Sequence, residues 1–170
     1  KRIYVNPSSF PGGDGSSWIL AFDDLDAALD VAQPFDEVWV AAGTYSPGSS
    51  FEQFELPFGV SLFGGFAGHE SSTDQRDLAN NVTVLDADNL QDDSTGGTTD
   101  NSRTVMQILG GRQRIDGFLV RGAANGSIGG GLAVYGRREI VFANCTFLEN
   151  DTSHRGGAIY LNFSTNSFLT

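Results

Sequence analysis

The sequence predicts an all-β chain, a right-handed parallel β-helix (β-solenoid) with one N-terminal capping α-helix. Three observations lead there. A segment pattern recurs at an offset of 27 residues in the last third of the chain, a period that marks solenoids and arrays. The repeating unit holds only short alternating strands and turns. A single stretch, near the N-terminus, carries helical spacing. The 22 glycines are about 13% of the chain, roughly twice the usual share, which reads as repeated tight turns.

Taken in order, Ile3-Tyr4-Val5 is a short strand, followed by a turn-rich stretch over residues 6–17 with Asp14-Gly15 as its turn pair. Phe22, Leu25, Leu29 and Ala32 then fall at helical spacing. Asp23 is placed as N-cap, with Asp24 and Asp26 in the first turn, where carboxylates suit the helix dipole. Gln33-Pro34 closes this helix. Strand patterns follow at Val38-Trp39-Val40, at Ala42-Gly43-Thr44-Tyr45, at Phe54, Leu56 and Phe58, at Val60, Leu62, Gly64 and Phe66, and at Val82 and Val84. A polar insertion over residues 86–101 reads as a projecting loop. Strand character resumes at Thr104 and persists to Thr170.

In the repeat, Asp116-Gly117-Phe118-Leu119-Val120 lies on Ala143-Asn144-Cys145-Thr146-Phe147, and Gly129-Gly130-Gly131-Leu132-Ala133-Val134 lies on Gly156-Gly157-Ala158-Ile159-Tyr160-Leu161. Apolar residues meet at Ile115/Phe142, Phe118/Cys145, Val120/Phe147, Leu132/Ile159 and Val134/Leu161. One coil cannot bury its apolar face alone. Stacking coils at about 4.8 Å pairs each strand with its equivalent above and below. The ends of a stack are open sheet edges, so the helix, with Phe22, Leu25 and Leu29, is expected to cover the first coil. Phe168-Leu169-Thr170 stops inside an expected strand. Further coils of the same chain, or another subunit, would then cover that end. Residues 1–170 read as one domain: strand and capping helix over 1–35, coils over 36–170. Lys1 in place of methionine reads as a processed or trimmed product.

Ten basic residues against 21 acidic ones give a net charge of −11, which argues against nucleic acid and against anionic membrane surfaces. No run of about 18 apolar residues is present, so direct membrane insertion is not expected. A single cysteine, Cys145, rules out an internal disulfide framework and aligns with an inward column.

Phe147-Leu148-Glu149-Asn150 matches the FxxN motif, and Gly156-Gly157-Ala158-Ile159 the GGAI motif, of polymorphic-outer-membrane-protein repeats. The segments Ile3-Tyr4-Val5-Asn6, Gly15-Ser16-Ser17-Trp18, residues 36–45, and Gly64-Gly65-Phe66 with Asp74-Gln75-Arg76-Asp77 resemble bacterial secreted right-handed parallel β-helix repeat proteins of the pectate-lyase-like fold. The repeat motif residues are Phe147, Asn150, Gly156, Gly157, Ala158 and Ile159. The preceding copy departs from the pattern: Val120-Arg121-Gly122-Ala123 lacks both the Phe and the Asn. The resemblance implies an exported, extracellular or cell-surface protein. The expected role is a structural stalk or adhesin-like surface for a glycan or surface protein, non-enzymatic because the sequence offers no convergent catalytic set. The resemblance also implies an alternative, a polysaccharide lyase or glycoside hydrolase. The expected strand that stops at Thr170 suggests another, a structural subunit stacking end to end.

The chemistry offered by the residues is spare. Asp86, Asp88, Asp92, Asp93 and Asp100 are candidate Ca²⁺ ligands, since hard oxygens in a flexible loop suit that ion; a solvated acidic loop is the other reading. Asp23-Asp24 is explained by the helix N-terminus. Arg114, Asp116 and Arg121 are expected to stack into an ionic row. Tyr45, Tyr135 and Tyr160 could form a sugar-stacking strip. His69 and His154 read as surface loop residues. Asn81, Asn125, Asn144, Asn150 and Asn162, each in an Asn-x-Ser/Thr triplet, read as turn residues and asparagine stacks.

Overall fold

The computed structural model describes residues 1–93, 95 and 97–162, so the strand expected to run through Phe168, Leu169 and Thr170 lies outside the described residues. Strand β1 (Arg2–Val5) precedes helix α1 (Leu25–Val31). Then come β2 (Glu37–Ala41), β3 (Gly43–Tyr45), β4 (Phe54–Leu56), β5 (Ser61–Phe66), β6 (Thr83–Asp86) and β7 (Met106–Gly111). The rest are β8 (Arg114–Asp116), β9 (Phe118–Arg121), β10 (Gly126–Ile128), β11 (Leu132–Arg138), β12 (Val141–Ala143), β13 (Thr146–Leu148), β14 (Thr152–Arg155) and β15 (Ile159–Leu161). Among the described residues the protein is thus mostly β, with one α-helix.

Among the described residues every strand pair is parallel. The first sheet runs β1-β2-β5-β8-β12, the second β3-β6-β9-β13 and the third β4-β7-β11-β15, with a two-stranded sheet of β10 and β14 beside them. From β2 onward the chain visits the first, second and third sheets in turn. Parallel neighbours place like positions directly over one another. Ile3, Val38, Leu62, Ile115 and Phe142 therefore make one column. Tyr45, Leu85, Val120 and Phe147 make a second. Phe54, Met106, Leu132 and Ile159 make a third, and Leu56, Ile108, Val134 and Leu161 a fourth. Their central members have no solvent exposure and form one hydrophobic core. The offset of 27 is the register of β12 on β8, β13 on β9 and β15 on β11. Of the last members, Phe142, Phe147 and Ile159 are only partly buried and Leu161 is exposed.

The corners repeat as well. Left-handed backbone falls at Arg112 and Glu139, Gly117 and Asn144, Gly122 and Glu149, and Gly129 and Gly156, each pair 27 apart. Only two of these four corners keep glycine in neither or both copies by type, so composition alone understates the repeat. Asn144 donates to Asp116 Oδ1 at 2.7 Å. Asn150 reaches back one layer: its Nδ2 donates to the Val120 carbonyl at 2.9 Å and its Oδ1 accepts from Ala123 N at 3.3 Å. That gives the Asn of FxxN a physical reason. Gly131 is required by close approach, because a Cβ there would run into the Ala158 carbonyl and stand 3.0 Å from the Phe147 ring.

Helix α1 is capped by Asp24, whose side chain accepts from Asp26 N, rather than by Asp23. The chain is still extended at Phe22, which bridges Val5, so the helix starts later than its apolar spacing suggests. Leu25, Ala28 and Leu29 are buried, and the helix lies against β4, β1 and β2. Two strand phases also differ from expectation. In β6 Thr83, Leu85 and Asp86 are buried, while Val82, just before the strand, is 45% exposed. In β2 the alternation fails because Trp39 is fully buried on the opposite face, stacked on Phe66 at 4.6 Å. Tyr4 and Trp18 complete this second apolar layer. Phe58, expected to alternate inward, is 48% exposed. Among the described residues no helix is long and apolar enough to cross a membrane.

Replacing Asn150 with Ala should cost about 1–3 kcal/mol, because the buried Val120 carbonyl and Ala123 N–H lose their partner. Equilibrium urea unfolding with an unchanged m-value checks this.

Candidate functional site

The candidate site is the loop between β6 and β7. Its base is tied down: Asn89 Nδ2 donates to the Asp100 carbonyl at 2.6 Å, and Ser102 Oγ donates to the Ser49 carbonyl at 2.8 Å. The five aspartates do not act together. Asp86 ends β6 opposite Arg121 in β9 and is committed to it, with Oδ2 accepting from Arg121 Nη2 at 2.7 Å and Nε at 2.8 Å. Asp93 is exposed, and its Oδ2 accepts from Asn101 Nδ2 at 3.1 Å. The other three converge. Asp88, Asp92 and Asp100 each bring one carboxylate oxygen within 4.8 Å of the others.

Backbone donors position them. Asp88 accepts from Asp92 N at 3.1 Å and Asp93 N at 3.3 Å, and Asp100 from Leu90 N at 2.9 Å. Asp92 Oδ1 is shielded from solvent and has no hydrogen-bond partner among the described residues. Burial, and then the charges of Asp100, Asp88 and Asp93, push the Asp92 carboxyl above its ordinary value. These oxygens are a hard-donor set of the kind Ca²⁺ takes.

A second acidic site went unread in the sequence. Asp26 and Asp30, one helical turn apart on α1, share a depression of about 310 Å³ with Glu52 and Glu55. Burial, then the charges of Asp24, Asp30, Glu52 and Glu55, raise the Asp26 carboxyl from 3.8 to about 7. The signal available was the like-charge i, i+4 pair Asp26/Asp30, which nothing on the helix itself compensates.

The expected ionic row of Arg114, Asp116 and Arg121 does not form. Arg121 points to Asp86, and Arg76 takes its place: Asp116 Oδ2 lies 2.7 Å from Arg114 Nη2 and 3.4 Å from Arg76 Nη2. Burial pushes the Asp116 carboxyl up, but hydrogen bonds from Asn144, Arg114 and Arg76 outweigh it and hold the group below 3.8. Tyr45 leaves the expected aromatic strip. It is buried in the second column and donates its hydroxyl to the Ala41 carbonyl at 3.1 Å. Tyr135 and Tyr160 do meet edge to face, with centroids 6.2 Å apart. Cys145 is partly buried against the core, and burial raises its thiol. His69 and His154 are exposed, but His154 lies on strand β14 and not in a loop. Glu70 instead is buried, its carboxylate accepting from Ala67, Gly68 and His69 backbone N–H groups.

Comparison with protein-family models, curated proteins and solved structures returns no match. The residues alone carry the reading.

Two predictions of opposite sign follow from the carboxyls. Because the folded Asp26 value lies above the unfolded one, its cost is absent below about pH 3.8, grows toward pH 7 and is full above it. Asp26→Asn should therefore raise stability at pH 8 by on the order of 1–2 kcal/mol, the full linkage value being screened by solvent. The gain should vanish at pH 3 in thermal melts. Asp116 is the reverse case, contributing above pH 3.8 and losing its effect as pH falls through its lower folded value. Asp116→Ala should cost about 3 kcal/mol at pH 7 by leaving Arg76 without its buried counter-charge, and progressively less in strong acid.

Proposed function

We propose that this chain is a right-handed parallel β-helix serving outside the cell, or on a bacterial cell surface, as a structural stalk or adhesin-like binding surface. The observation that carries the reading is the in-register stacking of like residues across three parallel sheets visited in turn. Right-handed winding agrees with the strong preference of parallel crossover connections. Such stacking spends the sequence on a continuous core and leaves a regular outer surface, which suits holding or displaying more than turnover. The FxxN and GGAI resemblance supports export and surface display, with an extracellular glycan or surface protein as the partner.

One observation favours a second reading, a glycoside hydrolase. Asp26, raised to about 7 beside Asp30, Glu52 and Glu55, has the character of a proton donor next to carboxylates.

A single pair of assays separates them. The purified chain should bind a surface polysaccharide or matrix protein saturably while releasing no reducing or unsaturated sugars from a polysaccharide panel. Sugar release that disappears in Asp26→Asn would overturn the stalk reading in favour of the hydrolase.

A further inference from the structure

We propose that Asp88, Asp92 and Asp100 bind one Ca²⁺ ion that fastens the loop between β6 and β7. Two oxygens on opposite sides of a Ca²⁺ ion stand about 4.6–5.2 Å apart, and the three carboxylate oxygens lie within 4.8 Å of one another. Among the described residues no ion pair involves any of the three, and Arg121 is already held by Asp86.

The loop also holds two orphaned acceptors, one on the carboxylate set itself and one, on Asn101, outside it. Asp92 Oδ1 is shielded from solvent without a donor. Asn101 is 1% exposed, its Nδ2 donating to the Gly122 carbonyl at 2.5 Å and to Asp93 Oδ2 at 3.1 Å, while its Oδ1 lacks a donor among the described residues. Both orphans are acceptors only, so what completes the loop is a donor or a cation, and the three carboxylates select the cation. Oxygen donors on a flexible loop favour Ca²⁺ over Mg²⁺, which demands tighter octahedral geometry and gives up its water reluctantly. Asp88, 8% exposed, anchors the set through two backbone N–H groups, and Asp92 and Asp100 arrive from the two arms of the loop.

The test is calorimetric titration of the full chain, stripped of metal with EGTA and dialysed, together with thermal melts. One Ca²⁺ per chain is expected, with a rise of several degrees in Tm that EGTA reverses and that equal MgCl₂ does not reproduce. Asp92→Asn and Asp100→Asn should each weaken Ca²⁺ affinity at least tenfold, whereas Asp74→Asn, an exposed acid outside the loop, should leave it unchanged. Removing the Asp92 charge relieves repulsion, so Asp92→Asn in EGTA should melt no lower than the parent chain, which separates lost binding from lost folding. Absence of both heat and Tm shift at about 10 mM CaCl₂, well above the range of extracellular calcium modules, would overturn the site. So would unchanged affinity in both variants.

Discussion

Parallel pairing in register is the constraint on which the rest depends. A parallel ladder sets each residue over its equivalent one layer away, so a residue that faces inward in one layer stands over another that faces inward in the next. Val38, Leu62 and Ile115 illustrate it: three residues far apart in sequence, one column, no exposure. The same rule forces polar residues into rows, and Asp86 opposite Arg121 is one such row made into an ion pair. Where the column runs out at Phe142, Phe147 and Ile159, burial becomes partial.

Corners obey the ladder too. A layer can sit on its neighbour only if both turn at the same place, and the left-handed residues recur at matched heights through the last two layers. Glu139, Glu149 and Asn144 accept a conformation that glycine would take at lower cost. Asn144 and Asn150 offset that cost with hydrogen bonds to neighbouring layers.

The last third was the most legible part, because its spacing is constant and the glycine pairs mark it. Earlier layers are interrupted by long excursions, and there period gives no guide: β4 pairs with β7 across some fifty residues of chain. Short strands were found where branched and aromatic residues alternate, but phase failed in two ways. In β6 a threonine takes the inward place, donating its hydroxyl to strand carbonyls. In β2 both faces are covered, so Trp39 defeats the idea of an outward residue. Of the five candidate aspartates, three converge; strand register claims Asp86, and Asp93 turns to Asn101. Neither diversion is visible without knowing which strands are neighbours. The Asp26 depression was missed for the same reason, since Glu52 and Glu55 come to it from another part of the chain.

The aromatic layer behind β2 has an optical consequence. Both tryptophans, Trp18 and Trp39, sit in it, within van der Waals reach of Tyr4 and Phe66 and far from the layers built by β12, β13 and β15. Intrinsic emission from this protein is therefore a local reporter of its N-terminal layers, blind to fraying at the opposite edge, whereas far-ultraviolet dichroism averages over the whole stack. Any gap between the two signals would measure how tightly distant layers are coupled.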